Sequence, residues 1–250
     1  MKTAWDYTDL AQSYLKRPNY APAAIKTLLK VVSPDGVTNA CDVGAGVAHL
    51  TIELAPFFKS VHAVEPNSEM RKLGKSRTTS YDNVTWFDGT GESTGQESRY
   101  FDLCTFGSSF NVCDRVQTLK EVKRILKPNG WFACMWNHRD LDDPIQANIE
   151  SIIKSNIEGF GYGQRREDQT KIIESSEFFN EVVRIQADVV YDLNVHEVIT
   201  AWRSHASLQR QAGDNFEKII SEIEVFFEHK NLEQVRTPYT TRIWLAKVRD

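Results

Sequence analysis

Residues 39–49 read Asn39-Ala-Cys-Asp-Val-Gly-Ala-Gly-Val-Ala-His49, and this stretch decides how the rest of the chain is parsed. A short apolar run approaches Asp42, Gly44 and Gly46 leave the backbone bare, and residues 47–55 follow with the spacing of an amphipathic helix. Strand, glycine turn and helix, in that order, bring backbone N–H groups and a helix N-terminus up to a ligand. Glycine suits the turn because a Cβ would block close approach or a positive φ. Alone, the motif has two readings, a ligand loop or a tight strand–helix turn. A dinucleotide fingerprint needs a third glycine at 49, where the chain has His49, and no Lys-Ser/Thr pair makes a phosphate loop.

Downstream, a strand-then-helix rhythm repeats. Strand 39–43 leads to helix 47–57, strand 60–65 to helix 68–78, and strand 83–87 ends at Asp88-Gly89. After a polar loop over 89–99, strand 100–106 runs into Gly107-Ser108-Ser109. Helix 114–127 carries Val116, Leu119, Val122, Ile125 and Leu126 on one face, and Pro128-Asn129-Gly130 launches strand 131–137. Short connections between apolar strands and helices predict a parallel sheet covered on both faces, with ligands beyond the carboxyl ends of its strands. Upstream, Tyr7, Leu10, Ala11, Tyr14 and Leu15 recur at helical spacing; Pro18 stops that helix and Pro22 opens a second over 22–32. Residues 141–178 read as helical and polar. Strand 181–191, helices over 195–230 and a final strand 239–248, free to pair antiparallel at the sheet edge, complete the pattern.

An apolar content of 41% and a charged content of 26% over 250 residues fit a globular chain. A net charge of -4 gives no electrostatic case for nucleic acid. No apolar run nears the ~20 residues of a membrane span, and the first residues lack the apolar core of a signal peptide. Cys41, Cys104, Cys113 and Cys134 form no Cys-x-x-Cys, and three lie in strand-like apolar runs. They read as small buried hydrophobes of a reducing compartment, neither a disulfide framework nor a metal site. The expected setting is cytoplasmic, without membrane, nucleic acid or metal.

The strand ends carry the chemistry. Asp42 to Gly46 ends the first, and Glu65, ending the second, can accept hydrogen bonds from both ribose hydroxyls of a nucleoside. Asp88, ending the third, can accept from an adenine amino group, and Gly107-Ser108-Ser109-Phe110 ends the fourth with backbone able to face a small polar group. One such residue would be an ordinary helix cap; four at successive strand ends describe a nucleoside site.

With these residues in place, the chain resembles the class I S-adenosylmethionine-dependent methyltransferases. The resemblance rests on Asp42-Val43-Gly44-Ala45-Gly46, Val64-Glu65-Pro66-Asn67, Phe87-Asp88-Gly89, Phe101-Asp102-Leu103 and the run from Leu119 that ends Leu-Lys-Pro-Asn-Gly130 before the fifth strand. More loosely, the chain is similar to the small-molecule branch that includes trans-aconitate methyltransferase, and its Tyr7, Ala11, Tyr14, Arg17-Pro18 and Tyr20 fit that branch. The resemblance implies a Rossmann-like, seven-stranded, mostly parallel sheet of order 3-2-1-4-5-7-6 with the last strand antiparallel. It implies one domain over 1–250, its core at 36–138, 179–194 and 236–250, and a cap of segments 1–35, 139–178 and 195–235 over the strand carboxyl ends. It also implies S-adenosylmethionine as cofactor, held by Asp42, Gly44, Ala45, Gly46, Glu65, Pro66, Met70, Asp88, Gly89, Thr90, Gly107 and Ser108. The methyl would pass to O or N of a small molecule or short peptide. Two departures stand out: Ala48 replaces the last glycine of the family's Gly-x-Gly-x-Gly, and Asn111-Val112-Cys113-Asp114 stands where many relatives carry His-Trp-Phe-Asp. The second concerns the acceptor, because Asn111 cannot do a histidine's proton chemistry.

Candidate acceptor residues have paired readings. Tyr14 and Tyr20 either close over the ligands, Tyr14 then with a catalytic part, or pack the N-terminal helices. His138, in Trp136-Asn137-His138-Arg139 at the end of the fifth strand, is the base by location, or else a loop histidine; Trp136 beside it is a substrate contact. Arg165 and Arg166 clamp an acidic acceptor bidentately or form a solvated surface. Trp202 is core or an acceptor contact, and His205 is a second-choice base. Asp114 reads as a helix N-cap. A base is needed only when the acceptor is protonated; a carboxylate needs none. The competing classes are a silent cofactor-binding module and a dinucleotide-linked oxidoreductase, the latter opposed by His49 and Asp88.

Overall fold

The computed structural model describes Thr8 and residues 10–249; Tyr7, expected on the first helix, lies outside the described residues. Seven strands, β1 (Asn39–Val43), β2 (Ser60–Val64), β3 (Val84–Phe87), β4 (Phe101–Gly107), β5 (Leu126–Arg139), β6 (Val183–Asn194) and β7 (Gln234–Lys247), form one sheet. Its order is β3-β2-β1-β4-β5-β7-β6. The first five pair in parallel and β7 runs antiparallel to both neighbours, the order and sense expected. All five residues of β1, Asn39 and Asp42 included, are buried, as a strand covered on both sheet faces requires.

Among the described residues, ten α-helices surround the sheet: α1 (Ala11–Tyr14), α2 (Pro22–Val32), α3 (His49–Leu54), α4 (Ser68–Arg77), α5 (Arg115–Ile125), α6 (Pro144–Asn156), α7 (Thr170–Glu174), α8 (Val195–Arg203), α9 (Ala206–Ala212) and α10 (Phe216–Lys230). On one face Leu119, Val122 and Ile125 of α5 pack with Cys41, Val43, Cys134 and Trp136. On the other, Ala24, Ile25 and Leu28 of α2 pack with Ala40, Leu103, Ala133 and Met135. The division follows the two-residue pleat of each strand. A third core joins α6, α8, α9 and α10 through Ile149, Ile153, Trp202, Leu208, Ile219 and Ile223.

The cap differs from expectation in two places. Helix α2, within segment 1–35, lies on the sheet face. Helix α7, within 139–178, buries Ile173 against the opposite face. Both are amphipathic pieces whose apolar side finds the sheet uncovered there. Val116, expected on the apolar face of α5, is exposed.

Strand β5 is longer than its sequence suggests, and this matters for the site. It pairs with β4 only as far as Gly107↔Met135, but with β7 out to Arg139↔Tyr239. Residues 136–139 therefore overhang the carboxyl ends of the parallel strands. The β6–β7 pair extends further, to Asn194↔Gln234, and α8 to α10 are inserted between these two strands.

Candidate active site

A cavity of about 570 Å³ opens at the carboxyl ends of β1, β2, β4 and β5, within the range of small-molecule sites. Its floor is the turn after β1. Gly44 and Gly46 have φ of +67° and +56°, and Ala48 keeps the left-handed conformation of the glycine it replaces, at +73°. A Cβ on Gly44 would fall 2.4 Å from Ser109 Cβ, so the glycine is needed for close approach as well as for conformation. Ser109 Oγ donates to Val43 O at 2.6 Å and fixes the β1 and β4 turns together.

Asp42 is buried beneath this turn and takes hydroxyl donors on both oxygens, from Thr51 at 2.7 Å and Thr105 at 2.9 Å. Burial pushes its carboxyl up to about 6, opposed by those two hydrogen bonds. Glu65, 6% exposed, accepts from Gly46 N–H through Oε2 at 2.9 Å and from Asn67 N–H through Oε1 at 2.8 Å. Each oxygen keeps a free lone pair. Burial raises this carboxyl to about 6 as well, against the pull of the two N–H groups. Pro66, Met70, Ala45 and Thr90 line the same end. At β4, Gly107 and Ser108 line the cavity, and the Tyr20 hydroxyl lies 3.2 Å from Ser108 Oγ. Gly107 is again required, since a Cβ there would meet Tyr20 Oη at 2.9 Å.

The opposite end is cationic. Arg17, Arg139 and Arg165 line it, with Tyr14 and His205. Arg17 donates to Ser204 Oγ and O at 3.2 and 2.7 Å and covers the Tyr14 ring at 3.7 Å. Arg139 stacks on Trp202 at 4.0 Å. Arg165 reaches His205 Nε2 at 3.1 Å. None of the three has a carboxylate partner among the described residues. Burial, and then the neighbouring Arg17 and Arg139, lower Arg165 to about 10.

Several expected residues lie elsewhere, each for a physical reason. His138 and Trp136 point away from the cavity because successive strand residues face opposite sides; Asn137 and Arg139 take the cavity side. The His138 ring is buried, with Nε2 2.9 Å from Arg165 O and Nδ1 unpartnered. Burial, reinforced by Arg165, lowers it to about 3. Trp136 is core and donates to Asn111 Oδ1 at 2.9 Å, which engages Asn111 outside the main cavity, in a small annex it shares with Tyr14 and Arg17. Trp202 is fully buried and acts as the wall behind Arg139. Asp88 has a side chain 70% exposed and pairs with Arg71 at 3.4 Å at the sheet edge, so it does not line the cavity. Gly89 is shut in against Thr94 O. Asp114 caps α5 through Val116 and Gln117 N–H. His49, half-buried on the cavity wall, contacts Tyr14 O and Asn19 Oδ1 at 2.8 and 3.0 Å.

Residues 41–134 match the methyltransferase domain family. An uncharacterized methyltransferase of Schizosaccharomyces pombe is 32% identical over 148 residues, 59% of this chain and 58% of that protein. The chain spans about half the length of the curated relatives it matches. Among solved structures, the YcgJ protein of Bacillus subtilis superposes with a TM-score of 0.60 at 16% identity, covering 92% of this chain and all of that one. A phosphoethanolamine N-methyltransferase of Haemonchus contortus, solved with S-adenosylhomocysteine, gives 0.55 at 13% identity, over 96% of this chain and 56% of its own. These likenesses establish the shared fold. The family match marks residues 41–134 as similar to a methyltransferase domain, and the glycine turn, Glu65 and the sheet order agree with the S-adenosylmethionine-binding type.

Proposed function

We propose that the chain methylates a small organic acid at a carboxylate oxygen, with S-adenosylmethionine as donor. The observation that carries this reading is the trio Arg17, Arg139 and Arg165, which faces the cavity without a carboxylate partner among the described residues. Buried guanidinium groups are paired in folded proteins unless a ligand pairs them.

The two ends of the cavity divide the work. The free lone pairs of Glu65 suit ribose hydroxyls, the glycine turn leaves its backbone open to the amino-acid part, and Pro66 and Met70 supply apolar wall. When bound, the cofactor supplies an electrophilic methyl group on a sulfonium. The chain's own contribution is to hold the acceptor in line, which is worth several kcal/mol of barrier. Neither Tyr20 nor His138 is arranged to remove a proton. Burial pushes the Tyr20 phenol up to about 12, and His138 is both turned away and too weak a base. An acceptor that already carries its charge needs neither.

The test is incubation of the protein with methyl-labelled S-adenosylmethionine and a small-molecule extract. Methyl esters release labelled methanol in mild alkali, whereas N-methyl and ether products do not. Alkali-labile label supports the reading; alkali-stable label overturns the carboxylate acceptor.

A further inference from the structure

The loop between β3 and β4 contains neither strand nor helix, yet it is closely bonded to α5. Its first part, Thr90 to Ser93, lines the cavity. The next residue, Thr94, is fully buried and donates from both its N–H and its hydroxyl to Glu121 Oε1, at 2.9 and 2.5 Å. Arg124, one helical turn on, grips the same carboxylate as a fork, from Nε to Oε2 and from Nη2 to Oε1, each at 2.7 Å. The guanidinium also reaches back to the loop, at Gln96 O (2.8 Å) and Ser98 Oγ (2.9 Å). Gln96 Oε1 in turn lies 2.7 Å from His62 Nδ1 of β2. Burial works against the Glu121 charge, but the bonds from Arg124 and Thr94 hold its carboxyl below the ordinary range. Neither Glu121 nor Thr94 lines the cavity.

Anchor and cavity wall are continuous. Thr90 and Ser93 exchange N–H···O bonds at 3.0 and 3.3 Å, closing the turn that faces the cavity. Gly89 lies directly against this turn, since a Cβ there would fall 2.8 Å from Thr94 O and 3.1 Å from Ser93 O. Gly91 lies against α5 and the residues before it; its Cβ would meet Cys113 Sγ at 2.7 Å and Thr118 Oγ1 at 3.0 Å. Glu92 Oε1 accepts from the Asp114 N–H at 2.6 Å. A shift at Thr94 therefore carries the turn with it. In the proposed site Glu65 takes the ribose and the glycine turn takes the amino-acid part. The wall left for the nucleobase is Thr90 to Ser93 with Val112 and Cys113.

We infer that Glu121 and Thr94 are positioning residues for the nucleoside end: without touching the ligand, they hold the 90–93 turn in place as a pre-formed wall for the nucleobase. This rests on the methyltransferase reading above and adds the device that shapes its cofactor site. An unfastened turn would have to be ordered at each binding event, and that entropy loss would appear as lost affinity.

The experiment is calorimetry on the full chain with S-adenosylhomocysteine and, separately, with methylthioadenosine, which lacks the amino-acid part. Thr94→Val keeps the side-chain volume and the N–H bond but deletes the hydroxyl; Thr94→Ser keeps the hydroxyl. Thr94→Val should weaken both ligands by the same factor, about tenfold, the scale of ordering one further backbone residue. Thr94→Ser should recover most of the loss. Glu121→Gln, which turns an NH₂ toward Arg124 or Thr94, should weaken both ligands at least as much, and adding Thr94→Val to it should change little further. Amide exchange in Thr94→Val should quicken at residues 90–94 and stay as in wild type along β1 and β4. Unchanged affinity in Thr94→Val, a loss that Thr94→Ser does not recover, or a loss confined to S-adenosylhomocysteine overturns this inference alone. If Glu121→Gln does not fold, the Thr94 pair decides. Failure of the wild-type chain to bind either nucleoside overturns the methyltransferase reading beneath it.

Discussion

The two ends of the cavity are built on opposite plans. At the nucleoside end each carboxylate is already half engaged: Asp42 by two threonine hydroxyls, Glu65 by two backbone N–H groups. Asp42, Gly46, Glu65 and Asn67 come from the ends of β1 and β2 and the turns that follow, while Thr51 comes from α3 and Thr105 from β4. At the cap end three guanidiniums stack on rings or bond neutral oxygens and a histidine, and they come from the N-terminal segment, the overhang of β5 and the loop before α7. A site for an invariant ligand is pre-organised by the sheet. A site for a variable ligand is assembled from parts far apart in sequence and left electrostatically open.

The contrast can be broken most forcefully at the floor. Gly44→Ala places a Cβ 2.4 Å from Ser109 Cβ at φ +67°, and should cost about 3 kcal/mol of stability or more; a melting temperature within a degree or two of wild type would show that the turn yields. Next comes Glu65→Gln. Its amide NH₂ must face the N–H of Gly46 or Asn67, and its charge is gone. S-adenosylhomocysteine affinity should fall by about 1.5–3 kcal/mol by calorimetry, with acceptor binding unaffected. Arg139→Gln should do the reverse, raising the acceptor KM roughly tenfold while nucleoside affinity holds. If both affinities move together, the two ends are not independent.

A subtler effect is the pH dependence. Burial raises both Glu65 and Asp42 to about 6 from the ordinary carboxyl range. A raised folded-state value means that the folded protein holds its protons more tightly than the unfolded chain. The stability these groups contribute is thus full at pH values below the unfolded carboxyl range and is lost as pH rises through about 6. In the proposed site ribose binding would have the opposite sign, because Glu65 would accept from the hydroxyls in its ionised form. Nucleoside affinity should be level above pH 6 and decline below it, and Glu65→Gln should flatten the profile. The smallest effect is expected at Asp88→Asn. An exposed pair such as Asp88–Arg71 contributes about 1 kcal/mol or less, so nucleoside affinity should stay within roughly twofold of wild type.

The nucleoside end was legible because its signals are local. A glycine turn, an acidic residue ending the next strand and a helix cap are all read within a few residues, and β1 and α2 have the bounds their patterns predict. The misplacements share a cause, which is direction. Asp88 ends its strand as predicted, but β3 is the sheet edge and Arg71 draws the side chain outward. In Trp136-Asn137-His138-Arg139 pleat parity, counted from the core positions Cys134 and Trp136, puts Asn137 and Arg139 on the cavity side in place of Trp136 and His138. Strand β7 begins at Gln234, before the expected 239. Pro238 sits just beyond Tyr239, the last residue paired with β5, where a strand tolerates proline. Arg17 enters the sequence reading only within the branch pattern and His205 only as a second-choice base; the tertiary fold brings both to the cavity.

The arginines without a carboxylate partner among the described residues also bear on how the proposed reaction would end. Forming a methyl ester would erase the acceptor's negative charge and leave a neutral product facing Arg17, Arg139 and Arg165. The bound cofactor would give up its positive charge with the methyl group. A turnover would then begin with a cation and an anion in the cavity and end with two neutral molecules. Product release would be driven by the chemistry itself, and the next acid would compete for the site against an ester with little hold on it.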